Sequence, residues 1–109
     1  MSGLVQFLKD FFRGYSVLGG VRSPKWGKVR KDFININPFC AVCYTKKRLE
    51  AHHIIPVNID KSKELDPTNL IVLCRSDHLL YGHLNSWKSF NYDVRKDAEI
   101  WRQKILNRP

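Results

Sequence analysis

The stretch Ala51-His52-His53-Ile54-Ile55-Pro56 sets two adjacent histidines inside an apolar run. All four histidines (His52, His53, His78 and His83) and all three cysteines (Cys40, Cys43 and Cys74) lie between positions 40 and 83. Imidazoles and thiolates bind metal ions or exchange protons near neutral pH. Their crowding into one interval therefore points to one metal-dependent site. Neighbouring residues of a strand face opposite sides, so the histidine pair can divide two tasks, one ring turned to a cation and the other to a water.

Working outward, Cys40-Ala41-Val42-Cys43 is a CxxC turn of the knuckle type, followed by Lys46, Lys47 and Arg48. The pattern predicts a first strand over Leu49–Ile55, closed by Pro56. Residues 58 to 69 are polar and end in the turn signal Asp66-Pro67-Thr68-Asn69, which predicts a loop. Leu70 to Leu73 reads as a second strand ended by Cys74, and Asp77 to Leu84 as about two turns of helix that Gly82 disturbs. Strand, loop, strand and helix in that order make a ββα unit that turns His52, His53 and His78 toward one cleft. The fold class expected is α+β.

The flanks are helical. Ser23 as N-cap and Pro24 at the first helical position introduce a helix carrying Trp26, Val29, Arg30 and Phe33, which ends within Asn35–Pro38. Lys25, Lys28, Arg30 and Lys31 make it the most basic stretch, suited to backbone phosphates. Asp93 is expected to cap a packing helix bearing Val94, Ala98, Trp101, Ile105 and Leu106. Leu4, Phe7, Leu8, Phe11 and Phe12 have the spacing of a short amphipathic helix over residues 3–13. The expected division is an N-terminal helix and loop over 1–21, the central unit over 22–92 and a C-terminal helix over 93–109, all in one domain.

Composition narrows the function class. A chain of 109 residues buries only about 60–65% of its unfolded surface, so metal crosslinks would supplement a small core. Hydrophobic residues at 43% and aromatics at 12% argue against general disorder. Apolar runs are too short for a membrane span, and Lys9, Asp10 and Arg13 interrupt the apolar N-terminal stretch, which is not expected to act as a signal peptide. An odd number of cysteines fits metal-bound thiolates in a reducing compartment better than a disulfide framework. The net charge of +9 favours a polyanionic partner, of which nucleic acid is the commonest.

CxxC, then His-His-Ile-Ile-Pro, then Asn69-Leu-Ile-Val-Leu-Cys74 and Asp77-His78 resemble the HNH endonucleases, the ββα-metal nucleases. With Tyr81-Gly82-His83-Leu84, Trp87 and Lys88, the pattern is similar to the small HNH proteins of tailed bacteriophages. The resemblance implies a metal-dependent DNA endonuclease that leaves a 5′ phosphate and a 3′ hydroxyl. Its implied general base is His53. Asn69 is implied to orient the loop near that base, and His52 and His78 to ligate one divalent catalytic ion, Mg²⁺, Mn²⁺, Ni²⁺ or Zn²⁺. Cys40, Cys43 and Cys74 match three ligands of a structural zinc. Many relatives carry Cys-His where this chain has Asp77-His78, so either Asp77 or His78 completes the zinc shell. His83 is open between a third ligand of the catalytic ion, a phosphate contact and a structural role. Lys25, Lys28, Arg30 and Lys31 are the expected DNA contacts, and a phage origin would imply the host cytoplasm. The alternative function is a non-catalytic zinc module that binds DNA or a phage packaging partner.

Overall fold

A computed structural model describes residues 22–108. The helix expected over residues 3–13 lies outside them.

The first described helix, α1 (Trp26–Ile36), begins two residues later than the capping signal predicts. The Ser23 hydroxyl does accept from the Lys25 amide at 3.1 Å, and the Trp26 amide bonds back to the Ser23 carbonyl at 3.0 Å. These bonds close a turn ahead of the helix, and Lys25 becomes the N-cap. At the other end the Asn37 side-chain amide donates to the Phe33 carbonyl at 3.1 Å. Pro38 follows and cannot continue the ladder.

Two strands form one antiparallel sheet, β1 (Leu49–His53) and β2 (Leu70–Cys74). Their register pairs Ala51 with Val72, His52 with Ile71 and His53 with Leu70. The first strand stops at His53, two residues short of expectation. Beyond it the Ile54 amide still reaches the Asn69 carbonyl at 2.8 Å, but the chain then bends at Ile54–Ile55. Asn69 holds that bend with both ends of its amide: Oδ1 accepts from the Ile55 amide at 2.9 Å, and Nδ2 donates to the Ile55 carbonyl at 3.0 Å. Connecting residues 54–69 are ordered by two 3-10 turns, Lys61–Lys63 and Pro67–Asn69, opened by Asp60 and Asp66. Each of these carboxylates accepts from the amide two residues on, the usual way an aspartate starts such a turn.

After β2 the chain makes one α-turn, α2 (Arg75–Asp77), and widens at once into a π-helical turn, His78–Gly82. The helix expected from Asp77 therefore starts earlier and has a different pitch. The last helix, α3 (Val94–Leu106), buries Val94 and Ala98. Asp93 occupies its N-cap position without a side-chain cap bond. Asn91 instead braces the approach to the helix: its Oδ1 accepts from the Asp93 amide at 2.9 Å and its Nδ2 donates to the Tyr81 carbonyl and to Asp97. The core is small: Cys40, Val42, Ile71, Leu73, Val94 and Ala98. It lies between the sheet, the CxxC turn and α3, so the metal-ligating residue types sit at its edge. Among the described residues, no helix is long and apolar enough to cross a membrane.

Candidate metal centres and active site

Two clusters of metal-ligating residue types form. In the first, ligand atoms of Cys40, Cys43, Cys74 and Asp77 all lie within 4.8 Å of one another. The CxxC turn is pinned to the sheet by the Ala41 amide, which donates to the Val72 carbonyl at 2.9 Å. Tyr44 leaves the turn in the left-handed region at φ 62°. Cys40 Sγ is 3.2 Å from Asp77 Oδ2, and Cys43 Sγ is 3.9 Å from Cys74 Sγ. Burial pushes the Cys40 thiol up, against the pull of amides from Cys43, Cys74 and Val42. Cys74 is pushed up to about 12, by burial first and also by the neighbouring Cys40 and Asp77. Four groups that repel one another when ionised are thus held together, an arrangement suited to a cation. Asp77 joins the sulfur cluster and His78 does not.

In the second cluster, His52, His78 and His83 bring one ring nitrogen each within 4.8 Å of the others. The three rings form a near-equilateral triangle, with centroids 4.8, 4.9 and 4.9 Å apart. On a regular helix His78 and His83 would point in different directions. The π turn removes that obstacle: the His83 amide bonds to the His78 carbonyl at 3.1 Å, five residues back, and the two side chains stack on one face. Two of the rings are oriented from behind. His78 Nδ1 donates to Glu50 Oε1 at 3.0 Å, and His83 Nδ1 donates to the Ser89 carbonyl at 2.7 Å. Their Nε2 lone pairs then face each other at 3.2 Å, and His52 Nε2 is buried with no hydrogen-bond partner. Three inward lone pairs, one of them orphaned, fit a cation, and the outer hydrogen bonds are the kind that orient metal-bound imidazoles.

Burial, aided by the other histidines, pushes the His52 imidazole down to about 2. His78 is also lowered, by burial first, with Glu50 opposing. Both of these rings therefore favour the neutral form that ligates. Gly82 is part of this packing. A Cβ there would lie 3.1 to 3.2 Å from three atoms of the His52 ring.

His53 points to the other face of β1. Its Nε2 donates to the Glu64 carbonyl at 2.8 Å, so Nδ1 carries the lone pair. Trp26 packs on the ring with centroids 4.3 Å apart, and Arg22 Nη1 lies 3.5 Å from Nδ1. Burial lowers its proton affinity and the Glu64 carbonyl raises it, with Arg22 lowering it further. Both faces of the strand end open into one cleft of about 630 Å³, lined by His52, His53, His78, His83, Glu50 and Trp87 among others. Arg22, Arg30 and Lys88 line the same cleft. Of the four basic residues expected to meet DNA, Arg30 alone borders it. Lys28 is paired with Asp32 at 2.5 Å, and Lys25 and Lys31 are exposed.

Three contributors were missed by the sequence reading. Glu50 shares a strand face with His52, two residues away, a signal that was available. Glu64 and Ser89 act through backbone carbonyls, which no residue type announces.

Residues 40–84 match the family model described as HNH endonuclease. The matched segment is similar to HNH endonuclease domains and covers 45 of the chain's 109 residues. Neither the curated proteins nor the solved structures give a match to the chain. The α+β architecture with a two-stranded antiparallel sheet is that of the HNH ββα unit, and the domain suggests a nuclease.

Two predictions follow from the histidine packing. Gly82→Ala crowds the His52 ring and weakens Zn²⁺ or Ni²⁺ binding at the histidine cluster by roughly tenfold, read by competition against a chelating dye; unchanged affinity contradicts it. The second concerns pH. Without metal at that cluster, the folded chain binds fewer protons than the unfolded chain below the ordinary histidine value of about 6.5. Stability is then full above that pH and is lost as pH falls toward the lowered folded values, because protons favour the unfolded state. Urea midpoints should drop between pH 7.5 and pH 5; a flat profile contradicts the burial argument.

Proposed function

We propose that the chain is a metal-dependent DNA endonuclease in which His53 is the general base. The observation that carries this is the tautomer of His53. A carbonyl can only accept, so the 2.8 Å bond at Glu64 keeps the proton on Nε2 and leaves Nδ1, beside the cleft, to take a proton from the attacking water. Geometry is the first requirement of such a base, and Asn69 contributes by holding the bend just after His53 through its two bonds to Ile55. His52, His78 and His83 would hold a divalent ion, which would supply positive charge where the scissile phosphate binds.

Glu50 keeps the His78 ring turned inward, and Arg75 Nη1 reaches Glu50 at 3.2 Å. Arg22, Arg30 and Lys88, all on the cleft, are the side chains suited to flanking backbone phosphates, which give affinity without sequence choice. Lys25, Lys28 and Lys31 extend the positive field along the outer side of α1. The sulfur cluster is proposed as a structural zinc site completed by Asp77, closing a crosslink between the CxxC turn and the end of β2. Nothing favours a phage packaging partner over DNA.

Imidazole-only ligation suits Ni²⁺ or Zn²⁺ better than Mg²⁺ or Mn²⁺, which prefer oxygen donors. Supercoiled plasmid incubated with each ion should be nicked or cut fastest by a transition-metal form. His53→Ala should lower the rate by about 10²-fold or more while retaining both metals and DNA binding. If wild type and His53→Ala both bind DNA and neither cleaves with any ion, the chain is the non-catalytic module instead.

A further inference from the structure

The family match begins at Cys40, yet the ring of His53 is enclosed by residues well upstream of it. Trp26 covers one face at 4.3 Å, tilted by 34°, and Arg22 lies beside Nδ1 and over the Trp26 ring, 5.6 Å from its centroid. The stretch 22–26 belongs to neither strand. What fastens it is Glu64. That residue is only 3% exposed, and its two carboxylate oxygens lie 2.9 and 3.2 Å from the Ser23 amide, which donates to them. Among the described residues, these are the only hydrogen bonds from residues 22–26 to the loop over 54–69.

Glu64 therefore works with both of its ends. Its main-chain carbonyl accepts from His53 Nε2, and its side chain holds the segment that packs on the same imidazole. A carboxylate is expensive to bury and is kept inside only when bonded and offset by positive charge. Here the Ser23 amide supplies the bond, and the charge of Glu64 acts on the half-buried Arg22 guanidinium.

We infer that Glu64 is a latch: its carboxylate holds the Arg22–Trp26 segment closed over His53, making the base's orientation and the seating of α1 one unit. Glu64 is a positioning residue in this account. It acts through Ser23 and Trp26 and does not touch the phosphate. One imidazole is then held by a carbonyl at Nε2 and an indole on its face, with Nδ1 turned to the cleft beside the Arg22 guanidinium that also lines it. The basic helix α1 is seated by the same bond, so DNA engaging Arg30 presses on the structure that aims the base.

The kinetic arm of the test rests on the nuclease reading; the spectroscopic arm does not. Full-length, metal-loaded Glu64→Ala and Glu64→Gln are compared with wild type for kcat, KM, metal content and the Trp26 indole and His53 ring resonances in ¹⁵N spectra. Glu64→Ala keeps the backbone carbonyl but loses the latch. It should lower kcat by about tenfold or more with KM changed much less, keep both metals, and move the Trp26 resonance toward that of a solvent-exposed indole. Glu64→Gln keeps an oxygen for the Ser23 amide and should recover most of the rate and the wild-type Trp26 resonance. Wild-type turnover in Glu64→Ala overturns the latch, as does equal impairment of both variants with loss of metal, which marks a merely structural residue. If wild type cleaves nothing, the nuclease reading fails, and the Trp26 resonance still decides: unmoved in Glu64→Ala, it overturns the latch as well.

Discussion

The hydrogen bond from the His83 amide to the His78 carbonyl, spanning five residues, is the constraint on which the candidate site turns. One α-turn after β2 would carry His83 away from His78. The wider turn brings it back, and with the inward ring of His52 it makes a three-nitrogen nest. Sequence supports the geometry from both sides. Gly82 leaves room for the His52 ring, and Leu84 and Asn85, both at positive φ, fold the chain back so that the Ser89 carbonyl can hold His83 from behind. π-turns of this kind are rare in helices and concentrate at functional sites.

A second constraint is the alternation of β1. Glu50 and His52 face the three-histidine side; His53 faces Trp26 and Glu64. The strand ends at His53, so both faces reach one cleft, and Asn69 holds the bend that makes this possible. Core packing alone is slight, with six buried residues in the main cluster. A metal ion at the cysteine cluster would tie the CxxC turn to α2, which is how small domains commonly compensate for limited burial.

The order of strands and helices was legible in the sequence because apolar periodicity and turn residues report local structure directly. Leu70 to Cys74, buried on both faces, and the Asp66-Pro67 turn are clear cases. Boundaries were less legible. Pro24 suggested a helix start that the Ser23–Lys25 turn delays, and Asp93 sits at the N-cap position without the side-chain bond expected of it. In the site, residue types marked the cysteines, His52, His53, Asn69 and His78. The place of His83 was not legible, because regular helical geometry argues against it and only the π turn brings it in. Glu64 escaped notice for another reason: its own carbonyl meets the His53 ring and its carboxylate meets the Ser23 amide, and composition carries no trace of bonds that depend on a backbone atom.

Two chemically distinct centres, one of sulfur and carboxylate and one of imidazole, are the centre of this account, and titrating metal-free protein with Co²⁺ tests them most directly. Thiolate-to-metal charge-transfer absorption should belong to a single equivalent, disappear in Cys40→Ser and survive in His83→Ala, while another equivalent binds without that absorption and is lost in His83→Ala. Charge transfer that grows through both equivalents, or that vanishes with His83, would contradict it.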